Sequence, residues 1–204
     1  MSDKNLTQKN WSSWHHLLHK EILSKKTLIP TGSNILISVS GGQDSMALLT
    51  LINDLKKFHN WSISVWHGDH QWHQKSSIYA LQLKNYCEEK KISFYFDKAN
   101  KENIFSEEKA RDWRYKKLCV RAKTLLKKNQ QQKNIYLLTG HTSSDNSETF
   151  ILNLARGSNF AGLSNIESKR LLENQIFLIR PILNFSRDDT KQFCNNLNIP
   201  IWED

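Results

Sequence analysis

A short stretch of hydroxyl, glycine and carboxylate residues has the composition of an anion-binding loop. It reads Ser40-Gly41-Gly42-Gln43-Asp44-Ser45 and lies between the apolar run ILISV and the helix-forming run MALLTLINDLKKF. Backbone N–H groups at a helix start are unpaired, and adjacent glycines let the backbone approach an oxyanion closely. The stretch therefore predicts a phosphate cradle, with a tight turn capped by Asp44 or Ser45 as the alternative.

The two better-known nucleotide-binding patterns are absent from the sequence. No G-x-x-x-x-G-K-[ST] motif occurs, and no G-x-G-x-x-G motif follows a predicted strand. A phosphate bound at residues 40–45 would therefore lack the usual P-loop lysine, and its charge must be neutralised by residues elsewhere in the chain.

A second polar segment, HGDHQWH, follows another predicted strand and carries His67, Asp69, His70 and His73. Histidine and aspartate are good metal ligands, so the segment is compatible with a metal cluster. It is equally compatible with a polar active-site loop or with surface histidines.

A third segment, EEKARDWRYKKL, is predicted to be helical and places Arg111 and Arg114 on one face at i, i+3. Two guanidinium groups on one face can hold a phosphate bidentately. The alternative is ordinary surface charge that balances Glu107 and Glu108.

A fourth segment, TGHTSSDNSETF, begins at a predicted strand end and enters a helix. His141 could accept a proton or contact a phosphate, and Asp145 could bind a magnesium ion. In the alternative interpretation Ser144 or Asp145 is only the N-cap, with Glu148 as its capping-box partner.

Composition limits the function classes. The 204 residues include 29 Lys+Arg against 20 Asp+Glu, a net charge of +9, which fits either a polyanionic partner or a lysine-rich solvated surface. The three cysteines form no C-x-x-C pair, which argues against a zinc knuckle and a disulfide framework. With no apolar run long enough for a membrane span, we expect a soluble cytoplasmic protein without a membrane partner.

Alternating apolar and amphipathic runs predict the fold class. Five strand-like runs alternate with helical runs, so we expect a doubly wound, mainly parallel five-stranded α/β sheet with ligands at the carboxyl ends of its strands. An amphipathic helix is predicted over residues 8–24, and residues 1–30 are interpreted as an N-terminal helical extension before a domain at 31–204. The segment KKNQQQKN at 127–134 is predicted to be a loop.

The string SGGQDSMALL resembles the SGGxDS loop of the N-type ATP pyrophosphatases, the PP-loop superfamily. The sequence as a whole is similar to the tRNA(Ile)-lysidine synthetase family. The motifs that carry this likeness, besides the loop, are the A-R-x-x-R-Y helix, the stretch around His141 and Asp145 that runs into R-G-S, and IRPILNFSR. The likeness covers residues 34–204 and implies a Rossmann-like adenine nucleotide hydrolase fold.

That resemblance also implies an activity. The family uses ATP to adenylate the wobble cytidine of an isoleucine tRNA with a CAU anticodon; L-lysine then displaces AMP and forms lysidine. ATP and Mg²⁺ are the implied cofactors, tRNA and lysine the implied partners, and a homodimer is left open. The implied phosphate-binding residues are Ser40, Gly41, Gly42, Gln43, Asp44 and Ser45. The implied catalytic residues are Asp44, His67, Arg111, His141 and Asp145, with Asp145 also the implied metal ligand.

The sequence departs from the family pattern at three places. In HGDHQWH, Gln71, Trp72 and His73 stand where the commoner H-x-x-H-G-L-R has Gly, Leu and Arg. Thr142, Ser143 and Ser144 stand where H-x-D is common before Asp145, so one carboxylate of the expected metal site is replaced by a hydroxyl. The family's C-terminal tRNA-binding domains are expected to be absent from this chain. The alternatives are another PP-loop enzyme, such as a tRNA thiolase or an amide-forming synthetase, and a non-catalytic RNA-binding module.

Overall fold

The apolar runs of the sequence form the strands of one six-stranded sheet. The computed structural model describes residues 11–72, 74–100, 106–128, 133–155, 157 and 166–202. In chain order its elements are α1 (Ser13–Ser24), β1 (Asn34–Ser38), α2 (Gln43–His59), β2 (Ser62–Asp69), α3 (Ser76–Glu89), β3 (Ser93–Lys98), α4 (Glu107–Lys128), β4 (Ile135–Leu138), α5 (Ser143–Ala155), β5 (Lys169–Glu173), β6 (Ile176–Ile179) and α6 (Arg187–Asn196).

The strand order is β3-β2-β1-β4-β6-β5. All neighbouring strands are parallel except β5, which pairs antiparallel with β6. The prediction of a mainly parallel, doubly wound α/β sheet is confirmed, but the sheet has six strands and not five. The missed strand, KRLLE, lies at the sheet edge, is mostly exposed and has no buried residue to give it a strand pattern.

Both faces of the sheet are covered, which explains why the central strands are continuously apolar. Ile35 and Ile37 of β1 pack in a core cluster with α1, α2, α3 and α6, whereas Leu36 packs in a second cluster with α4. Successive residues of a strand point to opposite faces, so one strand contributes to both clusters.

The first helix is shorter than predicted. It begins at Ser13 and not at residue 8; residues 8–10 lie outside the described part of the chain. Its Leu18 and Ile22 are buried in the same cluster as β1. Of the predicted loop at 127–134, residues 129–132 also lie outside the described ranges. Among the described residues, no helix is long and apolar enough to cross a membrane.

A buried histidine joins α1 to the C-terminal end of α2. His59 is 4% exposed, its Nε2 lies 3.0 Å from Nδ1 of His19, and its ring stacks on Trp61. Burial, and secondarily the proximity of His19, lowers the pKa of His59 to about 4. This pKa lies well below the 6.5 of an ordinary histidine, so the folded state favours the neutral ring.

We therefore predict that His59 makes stability pH-dependent. Its contribution is fully present above pH 6.5 and is lost as the pH falls toward 4, because the unfolded state then binds the extra proton. Between pH 7.5 and 5.0 this should lower the free energy of unfolding by about 2 kcal/mol. Urea unfolding at both pH values measures the decrease in the free energy of unfolding. The decrease should be about 2 kcal/mol smaller in His59→Phe than in the parent chain. The exposed His16→Gln is the matched control; an unchanged pH dependence in His59→Phe would contradict the assignment.

Candidate functional site

The candidate site lies where the strand order reverses. β1 is flanked by β2 on one side and by β4 on the other, so the loops that follow β1 and β4 leave the sheet in neighbouring positions. A cavity of about 920 Å³ opens at this edge, the usual ligand position in an open α/β sheet. The four polar segments selected from the sequence all contribute to the lining of this cavity, which we call the phosphate-loop cavity. Its lining includes Ser40, Asp44, His67, Arg114, His141 and Asp145.

The loop after β1 has a backbone that only glycine adopts readily. Gly41 has φ +106°, and a Cβ there would lie 3.4 Å from the Trp202 ring. The carbonyl oxygen of Gly41 also accepts the backbone N–H of Trp202 at 3.0 Å. The chain beyond α6 thus packs against the loop from behind, and Trp202 is a supporting residue that the sequence pattern did not reveal.

Ser45 fixes the loop from inside. Its hydroxyl donates to the carbonyl oxygen of Gly42 at 2.9 Å and accepts the backbone N–H of Gly41 at 3.2 Å. Ser40 is exposed, and its Oγ lies 3.2 Å from that of Ser45. The loop is therefore held in shape by its own serines while Ser40 faces the cavity.

The interpretation of this stretch as a turn capped by Asp44 or Ser45 is wrong. The N-cap is Gly42, which makes no side-chain cap hydrogen bond, and α2 begins at Gln43. The first-turn N–H groups of a helix have no partner within the helix, so those of α2 are placed for an anion. The Gln43 side chain donates to the Arg187 carbonyl oxygen at 2.9 Å and to the Thr190 hydroxyl at 3.2 Å, so it joins α2 to α6.

The turn after β4 packs directly against this helix start. A Cβ added at Gly140 would lie 3.0 Å from the carbonyl carbon and oxygen of Asp44 and 3.0 Å from the backbone nitrogen of Ser45. Only glycine permits this approach, because the atoms it would meet are backbone and cannot rotate away. The approach brings the segment that carries His141 and Asp145 against the loop at residues 40–45, which we call the phosphate loop.

One guanidinium group connects three carboxylates at the cavity. Arg187 lies 2.9 Å from Asp145, 2.6 Å from Glu148 and 3.9 Å from Asp44. Burial raises the pKa of Asp44, although hydrogen bonds from Thr190 and Gln43 and the charge of Arg187 oppose that rise. Arg187 comes from the start of α6, so the C-terminal helix supplies the counter-charge for α2 and α5.

Asp145 is both a helix-start residue and a cavity residue. Its Oδ2 accepts the backbone N–H and the hydroxyl of Thr142 at 2.7 and 2.9 Å, while its Oδ1 faces Arg187. Burial opposes ionisation, but these bonds with Thr142, together with His141 and Arg187, keep the pKa of Asp145 below its ordinary value. The predicted capping pair of Ser144 or Asp145 with Glu148 is wrong: Thr142 precedes the helix, Asp145 is its partner, and Glu148 pairs with Arg187.

The metal cluster that was one of three interpretations of the histidine-rich segment is absent from the described residues. Over the described ranges, which exclude His73, no three His, Cys, Asp or Glu residues are arranged to hold a metal ion. His67 is buried and its Nδ1 lies 2.8 Å from the Val39 carbonyl oxygen. A carbonyl oxygen only accepts, so Nδ1 of His67 carries a proton and donates to it. Asp69 and His70 line the same cavity, each with one buried side-chain atom that lacks a hydrogen-bond partner.

His141 lies between two cavities and is neutral at physiological pH. Burial, and next the charge of Arg180, lowers its pKa to about 4. Its Nδ1 lies 2.9 Å from the Thr139 hydroxyl. His141 and Asp145 also line a second cavity of about 640 Å³, bordered by α4, α5 and the β5–β6 hairpin.

The predicted arginine pair is divided between the two cavities. Arg114 lines the phosphate-loop cavity, and burial lowers its pKa. Arg111 lines the second cavity and lies against Tyr115, with its guanidinium carbon 5.3 Å from the ring centre. The two side chains therefore do not share the lining of one pocket, although both lower the pKa of His141 through their charge.

Arg187 is the principal residue that the sequence did not single out. The string SRDD indicates the helix start, and the structure confirms a capping box between Ser186 and Asp189. The only other signal for Arg187 was its place at the end of the motif IRPILNFSR. Its charge partners lie 39 residues or more away along the chain, so no local pattern could reveal them.

Comparison with known proteins gives closely similar sequences. A curated tRNA(Ile)-lysidine synthase of Prochlorococcus marinus subsp. pastoris is 73% identical over all 204 residues, which cover 61% of that relative. A chloroplastic tRNA(Ile)-lysidine synthase of Pyropia yezoensis is 36% identical over 92% of this chain and 55% of its own length. The chain thus spans about three fifths of the length of the curated relatives that it matches.

Solved structures with low sequence identity share the fold. A U34-tRNA thiolase from Methanococcus maripaludis, which carries a [4Fe-4S] cluster, matches with a TM-score of 0.63 at 16% identity, over 92% of this chain and 67% of that one. Likeness at this identity shows the fold alone. A family model described as the PP-loop domain matches residues 14–204, from within α1 to the last residue. The chain therefore belongs to the PP-loop domain family.

Proposed function

We propose that this chain provides the catalytic part of a tRNA(Ile)-lysidine synthase. Such a ligase joins lysine to the wobble cytidine of the CAU anticodon of an isoleucine tRNA at the expense of ATP, which becomes AMP and pyrophosphate. An anticodon that contains lysidine reads the codon AUA in place of AUG. Residues 31–204 would form the ATP-binding domain, with residues 1–30 as its N-terminal extension.

The observation that carries the proposal is the pair of cavities that share His141 and Asp145. Adenylation followed by displacement of AMP needs one place for the nucleotide and an adjacent place for the groups that attack it. The phosphate-loop cavity offers the place for the nucleotide. The second cavity offers the adjacent place for the attacking groups, and His141 and Asp145 line both. The 73% identity with a curated tRNA(Ile)-lysidine synthase supports the same reading.

In the phosphate-loop cavity, the chain's donors suit a pyrophosphate leaving group. The first-turn N–H groups of α2, the Ser40 hydroxyl and the Arg114 guanidinium converge there. Preorganised donors aimed at developing negative charge commonly stabilise such a transition state by about 3–4 kcal/mol per donor. The acceptor oxygen of cytidine attacks the α-phosphorus, the bond to the pyrophosphate oxygen breaks, and the leaving charge falls on these donors.

Asp44 and Asp145 fit a magnesium ion, and we propose that they hold it. Mg²⁺ is usually bound by one or two carboxylates together with substrate phosphates, and both carboxylates lie at the phosphate-loop cavity within 4 Å of the same guanidinium. When bound, the ion would neutralise phosphate charge as a Lewis acid. Ser144 in place of the family's second aspartate is consistent with Asp44 as the partner of Asp145.

His141 would act as a neutral group. With a pKa of about 4, it can position or hydrogen-bond a phosphate or a base edge but does not supply a positive charge at pH 7. His67 also lines the phosphate-loop cavity, and the hydrogen bond from its Nδ1 to the Val39 carbonyl oxygen fixes the orientation of its ring. Arg111 would serve the second cavity, where the acceptor base and the amine would meet the adenylated centre.

The cysteines speak against the thiolase alternative. Cys87, Cys119 and Cys194 are all buried, and burial raises their pKa values to about 12, 11 and 11. A nucleophilic or cluster-binding thiol must ionise, so these side chains are suited to packing and not to sulfur transfer. A non-catalytic RNA-binding module would not need the loop at residues 40–45 or the charges that converge on it. The similar curated proteins are not amide-forming synthetases, so they do not favour that alternative either.

Positive charge on α4 suits the tRNA partner. The helix carries lysines along its exposed face, whereas Lys117 and Arg121 already pair with Asp97 of β3 and are not counted among these tRNA contacts. Exposed lysine and arginine side chains are the usual phosphate contacts of nucleic-acid-binding proteins. A cytoplasmic location and a homodimer remain predictions.

We predict that the two half-reactions can be separated by omitting lysine. The chain, incubated with Mg²⁺, ATP and saturating tRNA bearing a CAU anticodon, should release pyrophosphate while AMP stays on the tRNA. Adding lysine should then release AMP, because the amine displaces it from the base. Labelled ATP and thin-layer chromatography measure both products, and a tRNA with a GAU anticodon is the control.

Release of AMP and pyrophosphate together without lysine would contradict the proposed order of steps. Pyrophosphate release that is independent of the anticodon would contradict the proposed substrate. Either result would return the chain to the broader class of PP-loop proteins.

We also predict that Arg187→Gln lowers the rate of pyrophosphate release by roughly 100-fold, since Asp44, Asp145 and Glu148 lose their shared cation. Stopped assays of pyrophosphate against ATP concentration measure kcat and KM. The matched control is Lys84→Gln, which breaks the exposed pair with Glu88 within α3; neither residue lines a cavity, so the variant should retain the parent rate. Equal rates for the two variants would show that Arg187 only balances surface charge.

A further inference from the structure

The second cavity contains a buried arginine whose charge is not balanced. Arg180, at the end of β6, is 5% exposed and lines this cavity. One of its terminal nitrogens, Nη1, donates to the Glu167 carbonyl oxygen at 2.6 Å, and Tyr115 also hydrogen-bonds its side chain. Its Nε is buried and has no hydrogen-bond partner among the described residues.

No carboxylate lies within ion-pair distance of Arg180 in the part of the chain that the structure describes. A buried cation without a counter-charge is costly, so arginines in this position normally bind a carboxylate or a phosphate. Arg111 and Arg170 line the same cavity, and their charges add to that of Arg180. The three guanidinium groups together favour an anionic ligand.

The same cavity also contains carboxylates. Asp145 and Glu148 line it from α5, while Glu107 and Glu167 lie at its other borders. A ligand that fits both sets of charges carries one carboxylate and at least one amine. Under the proposed function, on which this inference rests, the lysine substrate has that composition.

A phosphate of the RNA backbone fits the cavity less well. Phosphates of a polymer are normally contacted by exposed lysine and arginine side chains, whereas Arg180 is almost fully buried. The surrounding carboxylates would also repel a polyanion. The terminal carboxylate of a small molecule can enter where a polymer backbone cannot.

We propose that Arg180 binds the α-carboxylate of the amino-acid substrate, and that it thereby selects α-amino acids over simple amines. Arg180 lines the second cavity but not the phosphate-loop cavity, whereas His141 lines both, and the charge of Arg180 lowers the pKa of His141. An anchored carboxylate in the second cavity leaves the side-chain amine free to reach the adenylated base.

The test compares lysine with two analogues that lack the carboxylate, lysinamide and cadaverine. The parent chain should use both with a KM at least 10-fold above that for lysine. In Arg180→Met, the KM for lysine should rise to the value for lysinamide, while the KM for lysinamide stays within about twofold of the parent value. Lysine-free pyrophosphate release is measured in parallel: because Arg180 does not line the phosphate-loop cavity, its loss should change this half-reaction less than it changes the lysine KM, and the opposite order would assign Arg180 to adenylation.

Arg121→Met is the matched control. It removes the same charge from a half-buried arginine that pairs with Asp97 and lines neither cavity. Lysine KM should be unchanged in this variant. Circular dichroism and thermal melting monitor folding; if Arg180→Met does not fold, Arg180→Lys and the analogue comparison in the parent chain carry the test.

Three results would overturn the inference. The parent chain could use lysinamide as well as lysine, Arg180→Met could raise both KM values equally, or it could raise the KM for tRNA alone, which would assign the anion site to RNA. If the parent chain incorporates no lysine at all, the proposed function fails separately. Calorimetric titration of L-lysine into the parent and Arg180→Met chains then decides: binding lost only in the variant supports the site, and no binding to the parent overturns it.

Discussion

The charge contact of Arg187 with Asp44, Asp145 and Glu148 is the interaction on which the site depends. Asp44 and Asp145 lie on the first turns of α2 and α5, close enough that Asp145 disfavours ionisation of Asp44, and Glu148 lies one turn farther along α5. Without a cation between them, the two helix starts would repel each other at the place where the phosphate loop must keep its shape. Arg187 is the first residue of α6, so the position of the C-terminal helix is coupled to the charge state of the cavity.

Backbone packing makes this charge contact possible. The turn after β4 reaches the start of α2 only because Gly140 has no side chain, and Gly41 adopts a positive φ while Trp202 packs behind it. The parallel pairing of β1 with β4 brings the two turns to the same edge. Chemistry from residues about a hundred positions apart in the sequence is thus assembled by one strand pair and two glycines.

The sequence predicts the parts of the fold that carry local patterns. Continuous apolar runs identify the buried strands, and the loop at 40–45 is recognisable because its glycines and hydroxyls follow such a run. β5 was missed because KRLLE is an exposed edge strand whose pairing depends on β6. Two helix starts were misplaced because the residue before the helix differs from the one expected: Gly42 has no side chain with which to cap α2, and Thr142 precedes α5 with Asp145 as its hydrogen-bond partner.

Long-range contacts explain the remaining differences in the site. Arg187 and Arg180 have the chemistry of binding residues, but their partners belong to other elements, and nothing in their neighbours along the chain reveals burial or charge imbalance. Arg111 and Arg114 share a helix face in the sequence pattern, yet they line different cavities, which meet at His141 and Asp145. Residue type and spacing therefore predicted the chemistry, and the tertiary fold determines its arrangement.

The measurement that tests the central claim most directly is the identity of the wobble nucleoside after reaction. A CAU-anticodon isoleucine tRNA would be incubated with the chain, ATP, Mg²⁺ and isotopically labelled lysine, digested to nucleosides and examined by mass spectrometry. The account predicts that cytidine at the wobble position is converted to labelled lysidine. Unmodified cytidine at that position, with the chain folded and ATP bound, would contradict it.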